Sequence, residues 1–551
     1  MAGDRDSTTP LQRLIDDSAD AELTLHIAAP SGDFALLEQW LDSALQVEPL
    51  PVEISAQGSN RDTAGFLRAA LQLTVALQNA AGLPLFRCAR VVDTATTDTG
   101  QLALQLRLPQ LANFPLSAVT EPLLAALEIC QHALSTPRNE ANQIALMDYL
   151  QNEKLPQLRR GLFSGTATVP LLRAIAAAGI PYLHLGAGIY QLGCGSRQRK
   201  IRNSASDRDS VLGAKLASDK WATAQLLRQM ALPAPRHALV NNAEQAQQAT
   251  QLLGWPLVVK PVAAERGEGI SVNLRDADAL SAALTRAQAA AAADSVLVEQ
   301  QLPGVCHRLF VANGQLLYCV ARHPIAVTGN GFDTLAALTT AAYQQQRLLP
   351  PWLREQRPPF DTATAQHFAA LGLSGDTVPA AGQRVTLRPI ESSDAGGIDE
   401  DMTQRVHPDN VALALKATAA FGLEIAGIDL ITTDISQPWH QSGAAINEVN
   451  FTPQFCGAAI SRSYLSTFLD SYLPDGGVIP IEYFSPQQLT AAKQRWQQFH
   501  QQGLQCALLH NSQVLLSDGS RWTGWAPSQQ QLLRALLLDA SIDALVVVSG
   551  A

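Results

Sequence analysis

Two apolar runs late in the chain carry acid and amide side chains that a purely packing strand would not hold: Gly427-Ile-Asp429-Leu-Ile-Thr and Ala445-Ile-Asn447-Glu448-Val449-Asn450. The loop between them holds Asp434, Ser436, Pro438 and Gly443, all turn formers, so the runs read as paired strands. Side chains alternate along a strand, which sets Glu448 and Asn450 on one face, and Asp429 on the neighbouring strand can join them. Flanking residues are too apolar for a solvated hairpin edge. Buried like charges repel, so two carboxylates and an amide converging on one spot imply a cation. Hard oxygen ligands select Mg2+, with phosphate oxygens completing the octahedron. Asp429, Glu448 and Asn450 are therefore candidate metal ligands.

The surrounding pattern is a mixture of α/β and α+β in several domains. A chain of 551 residues suggests three or four units at about 150 residues each. Residues 1–160 combine alternating runs (Leu23 to Ala28, Leu102 to Leu108) with helical stretches at Thr63 to Ala80, Glu121 to Ser135 and Asn139 to Leu150, an α+β reading. Residues 161–480 alternate helices (Thr168 to Ala178, Lys220 to Ala231) with short buried strands (Pro256 to Lys260, Val296 to Glu299). The four prolines within Leu348 to Pro359 mark a surface excursion. Residues 481–551 end in Ile542-Asp-Ala-Leu-Val-Val-Val, a buried-strand pattern that needs neighbours on both sides and so looks like part of a larger fold. A net charge of -10 disfavours nucleic acid as a partner. Seven scattered cysteines without C-x-x-C point to a reducing cytoplasm, and no apolar run is long enough for a membrane span.

Only seven of the 39 basic residues are lysine, so a lysine beside an apolar strand stands out. Lys260 closes Pro256-Leu-Val-Val-Lys260, where an ammonium either snorkels to solvent or meets an anion such as phosphate. The turn that follows, Glu265-Arg-Gly267-Glu-Gly269, lets backbone N–H groups approach a phosphate. It is neither a P-loop nor a dinucleotide fingerprint. The Gly186 to Gly195 stretch has the wrong spacing for the latter and reads as tight packing turns. The segment Val296-Leu-Val-Glu299-Gln300-Gln301-Leu302 runs from buried strand to polar link, either an adenine-facing hinge or an ordinary connector. The basic run Ser196 to Arg202 either faces an anionic substrate or is a solvated turn. No G-x-S-x-G, H-E-x-x-H or motif-bearing cysteine offers another chemistry.

In order along the chain, Lys220, Lys260-Pro261, the Gly267/Gly269 turn, Glu299 with its hinge, Asp429 and Glu448-Val-Asn450 resemble the ATP-grasp superfamily. From about Thr166 to Phe484 the chain is similar to the ATP-grasp half of the cyanophycin synthetases: Gly193-Cys-Gly195, Asp219-Lys220, Gly304-Val-Cys-His307-Arg308, Gly329-Asn-Gly331, Arg388, Gly396-Gly397-Ile398 and His407-Pro408 stand where that family has similar residues. The resemblance implies an ATP-grasp fold behind an N-terminal α+β domain, with a short truncated Mur-ligase-like remnant at the C-terminus. It implies ATP and one or two Mg2+ ions, and activation of a carboxylate as an acyl phosphate that an amine then attacks. Lys220, Lys260, Glu265, Gly267 and Gly269 would hold phosphates, Glu299, Gln300 and Leu302 would face adenine, and Arg388 would stabilise the acyl phosphate. The partners would be small-molecule carboxylates and amines in a homo-oligomeric enzyme. Departures matter as well. A zinc-hydrolase helix H-x-x-E-H reads Arg68, Leu71 and Gln72 here, the tail has no P-loop, an acidic position expected near the ribose is Cys306, and Gly-Phe-Arg-Met-His becomes Gln454 to Ala458. Cyanophycin is therefore not the expected product.

Overall fold

Leu102, Leu104, Leu106 and Leu108 are buried while Gln101, Gln105 and Arg107 are exposed, the period-two signature of a sheet with one covered face. The computed structural model, which describes residues 10–15, 20–46, 52–54, 63–87, 89–111, 113–160, 162, 165, 167–262, 269–291, 295–389, 391, 396–522 and 528–548, places them in a four-stranded sheet. Its strands are β1 (Ala21–Ala28), β2 (Val52–Ile54), β3 (Ala89–Thr96) and β4 (Gln101–Leu108), in the order β1-β4-β3-β2. Helices Ala64–Ala81 and Ser117–Ser135 share one apolar core with it. The first helix stops where Gly82 turns left-handed and caps the carbonyls of Gln78 and Asn79. On that helix Arg68 pairs with Glu38 at 3.0 Å and Leu71 is buried. Among the described residues no three His, Cys, Asp or Glu side chains gather as a metal cage anywhere.

An antiparallel meander follows: β5 (Tyr182–Gly186), β6 (Ile189–Leu192), β7 (Arg199–Arg202) and β8 (Ala205–Ser206). Gly195, expected as a packing turn, docks the tail, and Gly193 docks the turn just before it. A Cβ on Gly193 would lie 2.1 Å from the Gly477 carbonyl oxygen, and one on Gly195 2.6 Å from that of Ile542.

Two further sheets form the centre. The first, ordered β11-β10-β12-β9, comprises β9 (His237–Val240), β10 (Leu257–Pro261), β11 (Ser271–Leu274) and β12 (Val296–Gln300), all antiparallel. Leu257, Val259, Val296, Val298 and Val240 bury one face against helices Ala243–Leu253 and Ala277–Ala291. The second sheet takes strands from β13 (Val305–Ala312), β14 (Gln315–His323), β17 (Ile398–Asp401), β18 (Ile425–Thr432) and β19 (Ala445–Phe451), ordered β17-β14-β13-β18-β19. Its apolar face (Leu309, Val311, Cys319, Ala426, Ile428, Leu430, Ile446 and Val449) packs with Leu413, Ala414 and Ala417 of helix Pro408–Ala420. Between β14 and β17 a small unit is inserted, with β15 (Ala326–Thr328) paired to β16 (Arg384–Thr386) and a core around Leu335 and Phe368.

The proline-rich segment after Leu348 forms no helix or strand and leaves Leu353, Glu355, Gln356 and Pro359 exposed, but it is only in part the surface excursion expected. Pro350 is buried, Trp352 packs against the N-terminal core, and Arg354 donates to Asp148 at 3.2 Å, beside an Arg347–Asp148 bond. These contacts tie the inserted unit to the N-terminal region.

The tail supplies both neighbours for its own terminal strand. With β20 (Ile481–Phe484), β21 (Cys506–His510), β22 (Gln513–Leu516), β23 (Arg521–Trp522) and β24 (Ala544–Val548), the order is β20-β24-β21-β22-β23, and β24 runs parallel to β20 and β21. Helices Leu489–Gln501 and Gln529–Leu538 belong to two separate apolar cores built on this sheet, one holding Leu508, Ala544 and Val546, the other Leu509, Leu545 and Val547. No described helix is long and apolar enough to cross a membrane. The six described cysteines are all free and buried.

Candidate active site

Register gathers a set of charged residues of the five-stranded sheet on one face. Directly opposed residues point the same way, so Arg308, Asp429 and Glu448 form one row across β13, β18 and β19, and Asp399, Arg322 and Cys306 form the next across β17, β14 and β13. Tyr318, Phe310, Gly427 and Asn450 make a third row, with Phe455 stacked on Phe310 at 4.9 Å. A β-bulge in β19, where the partner of Asp429 is Glu448 but that of Leu430 is Ile446, leaves Asn447 as the extra residue. A bulge re-aims side chains. Here it turns Asn447 outward, and its Oδ1 accepts from Lys260 Nζ at 3.2 Å.

Lys260 itself lies on the four-stranded sheet, on the face away from its helices, together with Glu299. Its ammonium reaches Glu299 at 2.9 Å and is buried. Burial pulls its pKa down, but the carboxylates of Glu299 and Glu448 outweigh that and hold it above the ordinary lysine value. The polar faces of the two central sheets therefore meet at Lys260 and Asn447. Lys220, first residue of helix Lys220–Gln229, adds a second ammonium 3.4 Å from Glu448 Oε1. Asp219 caps that helix by accepting from the Ala222 N–H, which fixes the position of Lys220.

The protein's own cations stand beside both carboxylates, the buried Asp429 and the part-exposed Glu448. Arg308 holds Asp429 with two bonds, Nε to Oδ1 at 2.5 Å and the terminal nitrogen to Oδ2 at 2.6 Å. Burial alone would raise the Asp429 pKa, but the Arg308 guanidinium keeps it below the usual carboxylate value. Asn450 donates its amide nitrogen to Asp429 Oδ2 at 3.3 Å, which leaves its carbonyl oxygen for another partner. Four cations (Lys220, Lys260, Arg308, Arg322) thus face four carboxylates (Glu448, Glu299, Asp429, Asp399), the last pair loosely at 3.8 Å.

Other expected residues fare differently. Glu265 and Gly267 lie outside the described residues. Gly269, at φ +70°, is required by packing: a Cβ there would lie 2.8 Å from Ala290 Cβ. In the hinge, the Gln300 N–H donates to the Arg236 carbonyl and that of Gln301 to Pro256, while Leu302 is half-buried. Arg388 is not drawn into the cluster; its guanidinium bonds Asp361 at 2.8 Å, Thr364 and the Leu387 carbonyl in the inserted unit. Cys306 is buried beside Arg322, and burial, then Asp429 and Glu391, push its thiol well up, so it is a neutral group in an ionic row. Sequence reasoning passed over Arg308 and Arg322 as site residues. The signal was there, since a charged residue inside an apolar strand calls for the same question as Lys260. Asn447 carried no such signal, because a bulge is not readable from alternation.

With this geometry in place, comparison with known proteins gives the class. Residues 219–308 match the family described as "Carbamoyl-phosphate synthase L chain, ATP binding domain", a span that includes Lys220, Lys260, Glu299, Gln300, Leu302 and Arg308. These residues carry an ATP-grasp ATP-binding unit. Among its relatives, the cyanophycin synthetase of Trichormus variabilis is 30% identical over 373 residues, 65% of this chain and 40% of that one. The bifunctional glutathione biosynthesis protein of Mannheimia succiniciproducens is 29% identical over 257 residues, 45% of this chain and 33% of its own. Among solved structures, a bifunctional glutathione synthetase from Pasteurella multocida aligns with a TM-score of 0.43 and 21% identity, covering 65% of this chain and 53% of that one. The chain spans about two fifths of the length of the cyanophycin synthetases it matches.

Proposed function

We propose that the chain is an ATP-dependent carboxylate–amine ligase that forms an amide or peptide-like bond on an amino acid or short peptide, through an acyl phosphate, with release of ADP. The observation that supports this best is the balanced ionic face where the two sheets meet. Each cation there is matched by a carboxylate, so a magnesium–triphosphate complex brings both charges needed to replace the internal pairs: the metal for Glu448, Asp429 and Asn450, the phosphates for Lys220 and Lys260. The donor set fits magnesium, being oxygen only and too small for a full cage, which leaves positions for phosphate oxygens. Bound magnesium would neutralise charge on the transferring phosphoryl group. The chain's own part is positioning: Lys220 and Lys260 fix the phosphates, Arg308 keeps the Asp429 carboxylate ionised and oriented, and the 299–302 link lies beside adenine. Arg388 is proposed to act on the acyl phosphate from the inserted unit. Cyanophycin itself is not the proposed product.

One observation favours a second reading, a nucleotide-binding homologue without catalysis: Cys306 contributes a neutral thiol to an otherwise ionic row. An ADP-release screen over amino acids and dipeptides separates the two. A ligase releases ADP only when donor and acceptor are both present. Tight ATP binding with no ADP from any pair would favour the second reading.

A further inference from the structure

His237 is the first residue of β9, directly opposite Glu299, and so shares the polar face that carries Lys260. It is 8% exposed. Its Nδ1 faces back into the protein, 3.2 Å from the Pro235 carbonyl oxygen and 3.3 Å from Arg228. Nε2, on the other edge of the ring, is buried and has no hydrogen-bond partner among the described residues. A buried ring nitrogen left unpaired is costly, and native proteins rarely keep one without a use. Burial, then the charges of Arg228 and Lys260, pull the imidazole pKa down to about 4, so the ring is neutral at physiological pH and cannot serve as another phosphate-binding cation. The ring packs edge-on against Trp221 at 4.7 Å, and Trp221 follows Lys220 on the same helix.

We propose that His237 contacts the nucleobase of the bound nucleotide through Nε2 and so sets its base preference, an inference that rests on the ATP-binding reading above. The position suits a base better than a phosphate. The group is neutral, it adjoins Glu299 at the start of the 299–302 link, and the phosphate-neutralising cations, Lys220 and Lys260, are already distinct from it. A neutral imidazole nitrogen makes one directional bond, to a donor or an acceptor on the six-position edge of a purine. Adenine and hypoxanthine exchange those roles, an amino group for a carbonyl oxygen, so the contact discriminates between them.

The test is calorimetry of the full chain with ATP, ITP and inorganic tripolyphosphate, each with magnesium, for the wild type and His237→Phe. Phenylalanine preserves the packing on Trp221 and removes the nitrogen. The expected result is about tenfold weaker ATP binding, a reduced ratio between ATP and ITP affinities, and unchanged tripolyphosphate affinity. Two results overturn the proposal: ATP affinity within twofold of wild type, or an equal loss for ATP and tripolyphosphate, which would make His237 a structural support. Should His237→Phe fail to fold, His237→Gln, which keeps a polar nitrogen, is expected to retain part of the ATP preference, and a loss equal for all three ligands again counts against the idea. Failure of the underlying reading looks different, since the wild type would then bind neither ATP nor tripolyphosphate.

Discussion

Glu448 and Asp429 face one another across β18 and β19, yet they are not equivalent tests of the metal proposal. Glu448→Gln changes a quarter-exposed carboxylate whose partner Lys220 reaches solvent, so the fold should survive. Turnover should fall about a hundredfold or more, because a charge that neutralises the transferring phosphoryl group is gone. Wild-type kcat in that variant would remove Glu448 from the metal set. Asp429→Asn should also lose turnover, but at a cost in stability, since Arg308 loses its buried counter-charge. Lys260→Ala leaves Glu299 buried without its ammonium and should destabilise the chain by about 3–5 kcal/mol while weakening ATP binding. The Lys260→Ala/Glu299→Gln double variant separates the two effects: denaturant melts should recover much of the stability, and calorimetry should show ATP affinity still reduced. Recovery of both would make the pair purely structural. These residues were legible in the sequence because a charge in an apolar strand is conspicuous. Their partners were less so, since pairing Arg308 with Asp429 needs the register of strands separated by more than a hundred residues.

Gly427 shows how a strand position without a side chain serves its neighbours. A Cβ there would lie 3.0 Å from Arg308 Cδ and from Pro453 Cβ, tighter than ordinary contact. Gly427→Ala should cost about 1–3 kcal/mol by overpacking and shift the guanidinium that holds Asp429. A lowered kcat beside a modest fall in melting temperature is the expected outcome, and an unchanged kcat would show that Arg308 has room to adjust. Helices and strands with strong periodicity were read correctly: Ala64–Ala81, Val296–Gln300 and the β18/β19 pair all fall within two residues or so of their expected bounds. What alternation could not reveal was the bulge at Asn447, which depends on pairing with β18. Nor could it show that Gly269 answers to a helix behind it. The proline segment misled for a related reason. Prolines exclude strand and helix interiors, but they do not exclude burial, and Trp352 uses that freedom.

At the scale of the whole molecule, the tail and the meander are locked by glycine contacts. Gly193→Ala would put a Cβ against the Gly477 carbonyl at a residue already at φ +74°, and should destabilise the protein by about 2–4 kcal/mol. A melting curve tests it; an unchanged midpoint would mean that the backbone at Gly477 has room to move away. The described residues hold one such ionic face, and the single-bond reading proposed above makes its own prediction. The purified protein should form one amide per ATP consumed and build no arginine-decorated polymer from aspartate, arginine and a cyanophycin primer. Mass spectrometry beside an ADP count decides, and a ladder growing by aspartate–arginine pairs would sink the single-bond reading. The order of strands in the tail has a consequence for synthesis. β24 lies between β20 and β21, so until residues 544–548 have left the ribosome those two strands have no shared neighbour. Ile15, near the other end of the described chain, packs in the core that β24 helps to build, and Gln12 bonds both backbone groups of Tyr182. A nascent chain must therefore hold helix Pro10–Ile15 and two open strand edges in waiting until residues 544–548 emerge, which makes that stretch of translation a period of exposure to aggregation and chaperone capture.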